Sequence, residues 1–406
     1  MLKRSLLCLM VTLLIFVSGC WNSRELNALA IAVGMGIDKV GDQYKVSVQI
    51  VVPNEVAGKK GGISTPVVLK QATGRTIFEA LRKITTVSSR KIYVSHLRIL
   101  VFGESLAREG IGKVLDFLSR DPEMRQDFFI VVARQTSAEN TLSVLSHLDK
   151  IPAYKLYSTL KVSERVWAPT TTVTLDKLIS ELVSEGTQPV LTGLRIVGQQ
   201  DTNGAKKNVE NINPPVKLIY SGMAVFKGDK LIGWLSEDES ATYTMVINKL
   251  KSTTGTVTCP QGDGILTVEV IRAKTKVKGS IIDGQPRIHI DLRHEVNVGE
   301  DQCGLDLTKT EMITKLEEMI NKKLEKYIED NIKRVQDKYQ VDIFGFGEVI
   351  HRSNPKEWKK LKKNWDQTFK SIPVTAKVTH KFQYTGNVNN SFLEQMNKSK
   401  GGGDDS

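Results

Sequence analysis

Cys20 is the residue with the clearest chemistry. It follows Val17, Ser18 and Gly19, at the end of a 12-residue apolar run from Leu6 to Val17 that Lys3 and Arg4 precede. The run suits a signal-peptide core and is too short to span a bilayer, which needs about 20 apolar residues. Small residues at 18 and 19 let the backbone enter a peptidase site, so cleavage is expected between Gly19 and Cys20. The thiol of Cys20 is the side chain that can take a thioether-linked diacylglycerol, and an N-acyl chain is expected on the new amino terminus. Several acyl chains hold stably where one binds only marginally, at about 0.8 kcal/mol per buried methylene. The mature chain is therefore expected outside the cytoplasm, tethered by lipid. An uncleaved anchor, or a cysteine standing by chance after an ordinary signal, is the alternative.

The remaining reactive side chains form no familiar catalytic set. With Cys8 removed and Cys20 lipidated, Cys259 and Cys303 are left as the pair available for a disulfide. An oxidising exterior permits that bond, and sequence leaves open whether their Cα atoms approach within about 7 Å. His96, His147, His289, His294, His351 and His380 share no metal-ligand spacing on one helix. His294-Glu295 opens like a zinc-protease motif, but Val298 stands where the second histidine belongs. Ser158-Thr159-Leu160-Lys161 and Ser353-Asn354-Pro355-Lys356 fit a serine–lysine pattern without its partner motifs. Gly34-Met35-Gly36 and Gly345-Phe346-Gly347 lack the third glycine of a dinucleotide site and read as turn glycines. No metal and no cofactor beyond the lipid is expected.

One surface feature stands out. In the basic stretch Lys356 to Trp365, a helix would put Trp358, Leu361 and Trp365 on one face, with Lys359, Lys360, Lys362 and Lys363 fanned around it. That geometry suits an anionic membrane or a partner surface. The preferred reading is plainer: the tryptophans pack into the core and the lysines are solvated.

The 406 residues exceed a single hydrophobic core, and the ordinary 40% apolar and 25% charged content implies a folded chain. The formal charge of +12 becomes +10 once Lys3 and Arg4 leave with the signal. In an extracytoplasmic setting a basic balance fits a membrane surface better than nucleic acid.

Alternation in Tyr44–Val52 after apolar Leu29–Ile37 predicts a hairpin. A glycine-rich loop at 57–66, a helix at Thr76–Thr86, a buried strand at Ile92–Phe102, a helix through Leu106–Leu118 and a strand at Phe128–Val132 follow. Met223–Phe226 and Leu231–Trp234 flank a Gly228-Asp229 turn, and strands around 266–270 and 288–292 flank Asp283-Gly284. Thr308–Tyr339 has no Pro or Gly and is apolar every three or four residues, a helix of about 45 Å. A late strand at 374–384 completes an α+β, multi-domain mixed α/β chain with antiparallel-rich sheets. The expected organisation is a signal over 1–19, an N-terminal α/β region over 20–197 and a polar linker or loop over 198–215. A C-terminal α/β region over 216–388 follows, with a subdivision near 260 as an option, and then a disordered tail over 389–406.

Several ordered motifs remain: Gly19-Cys20-Trp21 with Arg24-Glu25-Leu26-Asn27, Gly36-Ile37-Asp38, and Leu115-Asp116-Phe117 with Arg120-Asp121-Pro122-Glu123. Ala224-Val225-Phe226-Lys227-Gly228-Asp229-Lys230-Leu231 with Gly233-Trp234-Leu235, and Asp342-Ile343-Phe344-Gly345-Phe346-Gly347 with Pro355-Lys356-Glu357-Trp358, complete the set. Together these stretches resemble the Ger(x)C family, the C-subunit lipoproteins of spore nutrient germinant receptors. Asn22 departs from the acidic residue expected there. The resemblance implies a non-enzymatic subunit without cofactor. It further implies a lipid anchor on the outer face of the spore inner membrane and two integral membrane partners, the A and B subunits. A solute-binding lipoprotein that captures a nutrient itself, and an envelope hydrolase, are the competing readings.

Overall fold

The computed structural model describes Arg4 and residues 28–57, 65–146, 148–198, 207–260, 264–307 and 309–384. Gly19, Cys20, His147 and the expected tail over 389–406 lie outside these residues.

The first half builds one mixed sheet. Strands β1 (Leu29–Val40) and β2 (Gln43–Val51) form the expected hairpin around Gly41, whose positive φ the turn requires. The short helix α1 (Pro53–Ala57) leads towards β3 (Val67–Gly74), which pairs antiparallel with β2. Helix α2 (Ile77–Ile84) is capped by Thr76, whose hydroxyl accepts from Glu79 N–H. The continuous strand expected over 92–102 is two strands, β4 (Lys91–Tyr93) and β5 (Ile99–Gly103), each parallel to a different part of β1. The helix expected through 106–118 is likewise two, α3 (Glu104–Glu109) and α4 (Gly112–Arg120). Gly110 breaks it at a φ of +138°.

Strand β6 (Phe129–Ala133), helices α5 (Ala138–Ser143), α6 (Pro152–Val166) and α7 (Leu175–Val183), and strand β7 (Val190–Gly198) follow. A single turn α8 (Lys207–Glu210) precedes β8 (Val216–Lys227) and β9 (Lys230–Leu235). The main path of the sheet runs β3-β2-β1-β5-β6-β7-β8-β9, with parallel strands in the middle and antiparallel hairpins at both edges. In β5, Leu100 and Phe102 face one core while Ile99 and Val101 face another. Burial on both faces explains why the central strands read as unbroken apolar runs.

One expectation is corrected here. Gly34 and Gly36 are not turn residues but lie inside β1. A Cβ at either would come 3.0 Å from the Cβ of Ala153 or Ala138, so these glycines let α5 and α6 approach the strand. The 198–215 stretch, expected as a polar linker or loop, joins β7 and β8, which are antiparallel neighbours in one sheet. Polar composition marked an exposed loop, and the pairing across it was decided by the apolar faces of the strands.

The second sheet comes after helix α9 (Glu237–Val246). It contains β10 (Thr253–Thr258), β11 (Ile265–Ile282), β12 (Gln285–Asp301) and β13 (Val374–Tyr384), in that order. Asp283 and Gly284 turn the β11–β12 hairpin, both at positive φ. Helix α10 (Thr310–Tyr339) lies on this sheet, burying Leu316, Ile320, Ile328, Ile332 and Val335. Helices α11 (Phe346–Ser353), α12 (Pro355–Leu361) and α13 (Trp365–Ser371) close the base. A continuous core joins the sheets, with Val190, Met223 and Val225 of the first packed among residues of the second.

Strand β13 is an edge, and α10 covers it in a regular way. Side-chain oxygens of Glu317, Asn321, Glu325 and Glu329 accept hydrogen bonds from the backbone N–H groups of Phe382, His380, Val378 and Ala376 respectively, at 2.8–3.2 Å. Four residues of helix advance about 6.0 Å and two of strand about 6.6 Å, so the two rows stay in step. The free edge is thereby paired by side chains instead of another strand.

Candidate functional site

Cys259 and Cys303 form a disulfide with Cα atoms 5.5 Å apart, tying the end of β10 to the segment after β12. The basic helix does not present a tryptophan face. Trp358 and Trp365 are 2% and 4% exposed and pack edge to face at 5.1 Å, so they belong to the core, as the preferred reading has it, and the other possibility, a membrane or partner surface on these rings, is corrected. The helix ends at Leu361, a 3-10 turn spans Lys362–Asn364, and a helix resumes at Trp365. Lys359, Lys360 and Lys363 are exposed, and Lys362 reaches Glu185 at 2.9 Å.

The two rings belong to a joint built on Asp342, which is fully buried. One carboxylate oxygen accepts from the N–H groups of Phe344 and Gly345, at 3.0 and 2.9 Å. The other accepts from Gly347 N–H and Trp365 Nε1, at 2.7 and 3.0 Å. Burial pushes its pKa up to about 6, and the donors check that rise, so it is mainly ionised at neutral pH. Gly347 lies against Gly186, and Gln188 N–H donates to the Asp342 carbonyl at 2.7 Å. The Asp342–Gly347 segment thus welds the base of the second sheet to the first half.

Two more acids in the quoted motifs act alike. Asp38 accepts from Ala138 and Glu139 N–H at the start of α5, at 2.8 and 3.0 Å. Asp229 accepts from Gly112 N–H at 3.0 Å. Trp234 donates to Glu104 at 3.2 Å, beneath the Arg134 guanidinium. These motif residues hold elements together.

The histidines give a different result. The parallel register of β12 and β13 sets His294 opposite His380, although 86 residues separate them. Their rings meet edge to face, with Nδ1 of His294 3.3 Å from Nε2 of His380. Asn321 Oδ1 accepts from the His380 backbone N–H and lies 2.8 Å from His380 Nδ1. That oxygen can only accept, so His380 carries its proton on Nδ1 and offers a lone pair at Nε2. His294 therefore donates from Nδ1 and keeps a bare lone pair at its own Nε2. Burial depresses both, His294 to about 3 and His380 to about 4, so both are neutral.

Both rings help line a cavity of about 330 Å³ between α9, β10, β11 and α10. Its walls are mainly apolar, with Ala241, Met245, Val257, Val268, Ile320 and Leu324 among them. Helical spacing could not have found this pair. The one sequence signal was that both histidines interrupt alternating strands at buried positions. Among the described residues, no group of three His, Cys, Asp or Glu side chains is placed to hold a metal. Nor is any helix there long and apolar enough to cross a membrane.

These features define a mixed α/β protein with two sheets on a shared core and buried acids at its joints. Residues 22–196 match the family described as spore germination protein N-terminal domain, and residues 221–386 the one described as spore germination B3/GerAC like, C-terminal. Spore germination protein KC of Bacillus subtilis (strain 168) is 32% identical over 405 residues, covering 98% of this chain and 99% of its own. Spore germination protein B3 of the same organism is 25% identical over 388 residues, covering 93% and 97%. The crystal structure of the GerBC protein aligns with a TM-score of 0.52 at 22% identity, covering 89% of this chain and 99% of that one, a likeness of fold. The chain belongs to the Ger(x)C family of spore germination proteins.

Proposed function

We propose that this chain is a non-enzymatic, lipid-anchored subunit of a spore germinant receptor, required for the response to nutrients. It would be held by diacylglycerol and an N-acyl chain on Cys20 at the outer face of the spore inner membrane, beside the integral membrane A and B subunits. The observation that carries this reading is the match to spore germination protein KC across 98% of the chain. The apolar run ending in Gly19-Cys20 supports the anchor. The structural use of Asp38, Asp229 and Asp342 supports a scaffold more than a catalyst.

The test compares a Cys20→Ala strain with the unaltered strain and a deletion. The expected outcome is loss of the protein from the membrane fraction and a germination defect as deep as the deletion's. Normal nutrient-triggered germination of the deletion strain would remove the receptor role. Full membrane retention of Cys20→Ala would remove the lipid anchor.

A further inference from the structure

The second sheet buries one side beneath α10 and α11 and leaves the other to solvent. Over Arg272–Lys278 of β11, Arg287–Glu295 of β12 and Thr375–Lys381 of β13, every second side chain points to that open side. Two cations there are neutralised: Arg272 reaches Glu295 at 3.3 Å and Lys278 reaches Asp291 at 3.1 Å. Six more, Lys274, Lys276, Arg287, Arg293, Lys377 and Lys381, are exposed beside them, so the patch has an excess of six positive charges. Glu269 lies beyond the bulge at 270–272 and Asp283 in the hairpin turn. The carboxylates of Glu317, Glu325 and Glu329 lie on the β13 edge, bonded to its backbone N–H groups.

The register sets Lys274 directly opposite Arg293, and Lys276 and Lys377 flank Asp291. Like charges directly opposite destabilise a strand pair, so the patch is held at a cost to the fold. Its neighbours lie about 5–7 Å apart, within the Debye length of about 8 Å at physiological salt, so their fields add. Among the described residues the patch carries no Phe, Tyr or Trp. Protein interfaces centre on apolar or aromatic anchors and are poor in Lys, and surfaces for single-stranded nucleic acid stack bases on aromatic rings. A broad field of flexible cations without anchors suits a surface of mobile anionic headgroups.

We propose that the solvent-facing side of the second sheet lies against an anionic phospholipid surface and so fixes how the tethered chain stands on its membrane. The inference rests on the lipid-anchored reading for the membrane being at hand. The contact itself requires no acyl chain.

The experiment is co-sedimentation of the mature chain, residues 20–406 with Cys20→Ala and so without lipid, with two kinds of vesicle. One is phosphatidylcholine alone, the other phosphatidylcholine and phosphatidylglycerol in equal parts. Binding is expected to the anionic vesicles only, and to fall as salt rises. Replacing Lys274, Lys276 and Lys377 together by Gln should weaken it about 100-fold, about fivefold for each charge. The same charge change at Lys359, Lys360 and Lys363 should weaken it no more than about threefold. Equal losses from the two sets overturn the assignment to this sheet, and equal binding of the unaltered surface to both vesicles overturns the contact. Tighter binding to single-stranded DNA than to anionic vesicles would give the patch to nucleic acid instead. Failure of the tether shows separately in cells, because a high-salt wash releases a chain held by charge and not one held by acyl chains.

Discussion

Asp342 and His294 are both buried polar side chains packed against one core, and they are treated in opposite ways. Asp342 has four N–H donors on two oxygens, and glycine backbone from two parts of the chain presses against the loop it holds. His294 has one partner, one bare nitrogen and a cavity beside it. A saturated polar group in a tight joint stabilises the fold and has nothing left to offer a ligand. An unsaturated one, closed off from solvent, costs stability. The family motifs fall on the first kind, whereas the second kind lies outside every quoted motif.

The largest expected effect tests the saturated joint. Asp342→Ala leaves four buried N–H groups without an acceptor, and a stability loss of about 3–5 kcal/mol is expected in urea unfolding. A loss below about 1 kcal/mol would mean that the loop is held by packing alone.

The histidine pair should show itself through pH. Both folded-state pKa values lie below the ordinary 6.5, so the unfolded chain binds protons first as pH falls. Their contribution is complete above about pH 6.5 and is lost as pH falls towards 4 and 3. Between about pH 6.5 and 5 the loss is up to about 2 kcal/mol for each. Asp342, raised to about 6, works the other way, since its contribution grows as pH falls through that value. Urea midpoints across this range should decline less in His294→Phe than in the unaltered chain, and an unchanged decline would place the titration elsewhere.

Between the extremes lies the helix that pairs the β13 edge. Glu325→Ala frees the Val378 N–H at a half-buried position, and about 1–2 kcal/mol is expected, with faster hydrogen exchange at that amide. Unchanged exchange would show that the row of acceptors is not what protects the edge. The smallest effect belongs to Lys363→Ala, an exposed residue for which a thermal shift equivalent to less than about 0.5 kcal/mol is expected. A larger shift would give that surface a structural role.

The β1–β2, β8–β9 and β11–β12 hairpins and the long helix were legible because each has a local cause: a turn glycine, a period of two, a period near 3.6. The preferred reading of Trp358 and Trp365 as core also agrees with their burial, although the break at Lys362 left no pattern in the lysine-rich stretch. Gly34 and Gly36 were misread as turn residues because a glycine that admits a neighbouring helix looks, in sequence, like one that admits a bend. The 198–215 stretch, expected as a polar linker or loop, joins antiparallel neighbours of one sheet, since polar loops join strands within a sheet as readily as they join domains.

The sequence by itself determined the local elements, the family and the motif acids, because each depends on neighbours within a few residues or on an ordered series of matches. Only the tertiary structure decided that β7, β8 and β9 extend the first sheet and that Glu317, Asn321, Glu325 and Glu329 pair an edge strand 47 to 65 residues away. It alone set His294 against His380 beneath a cavity. These outcomes rest on strand register and on which apolar faces meet, and both are settled by contacts between distant segments that no local pattern encodes.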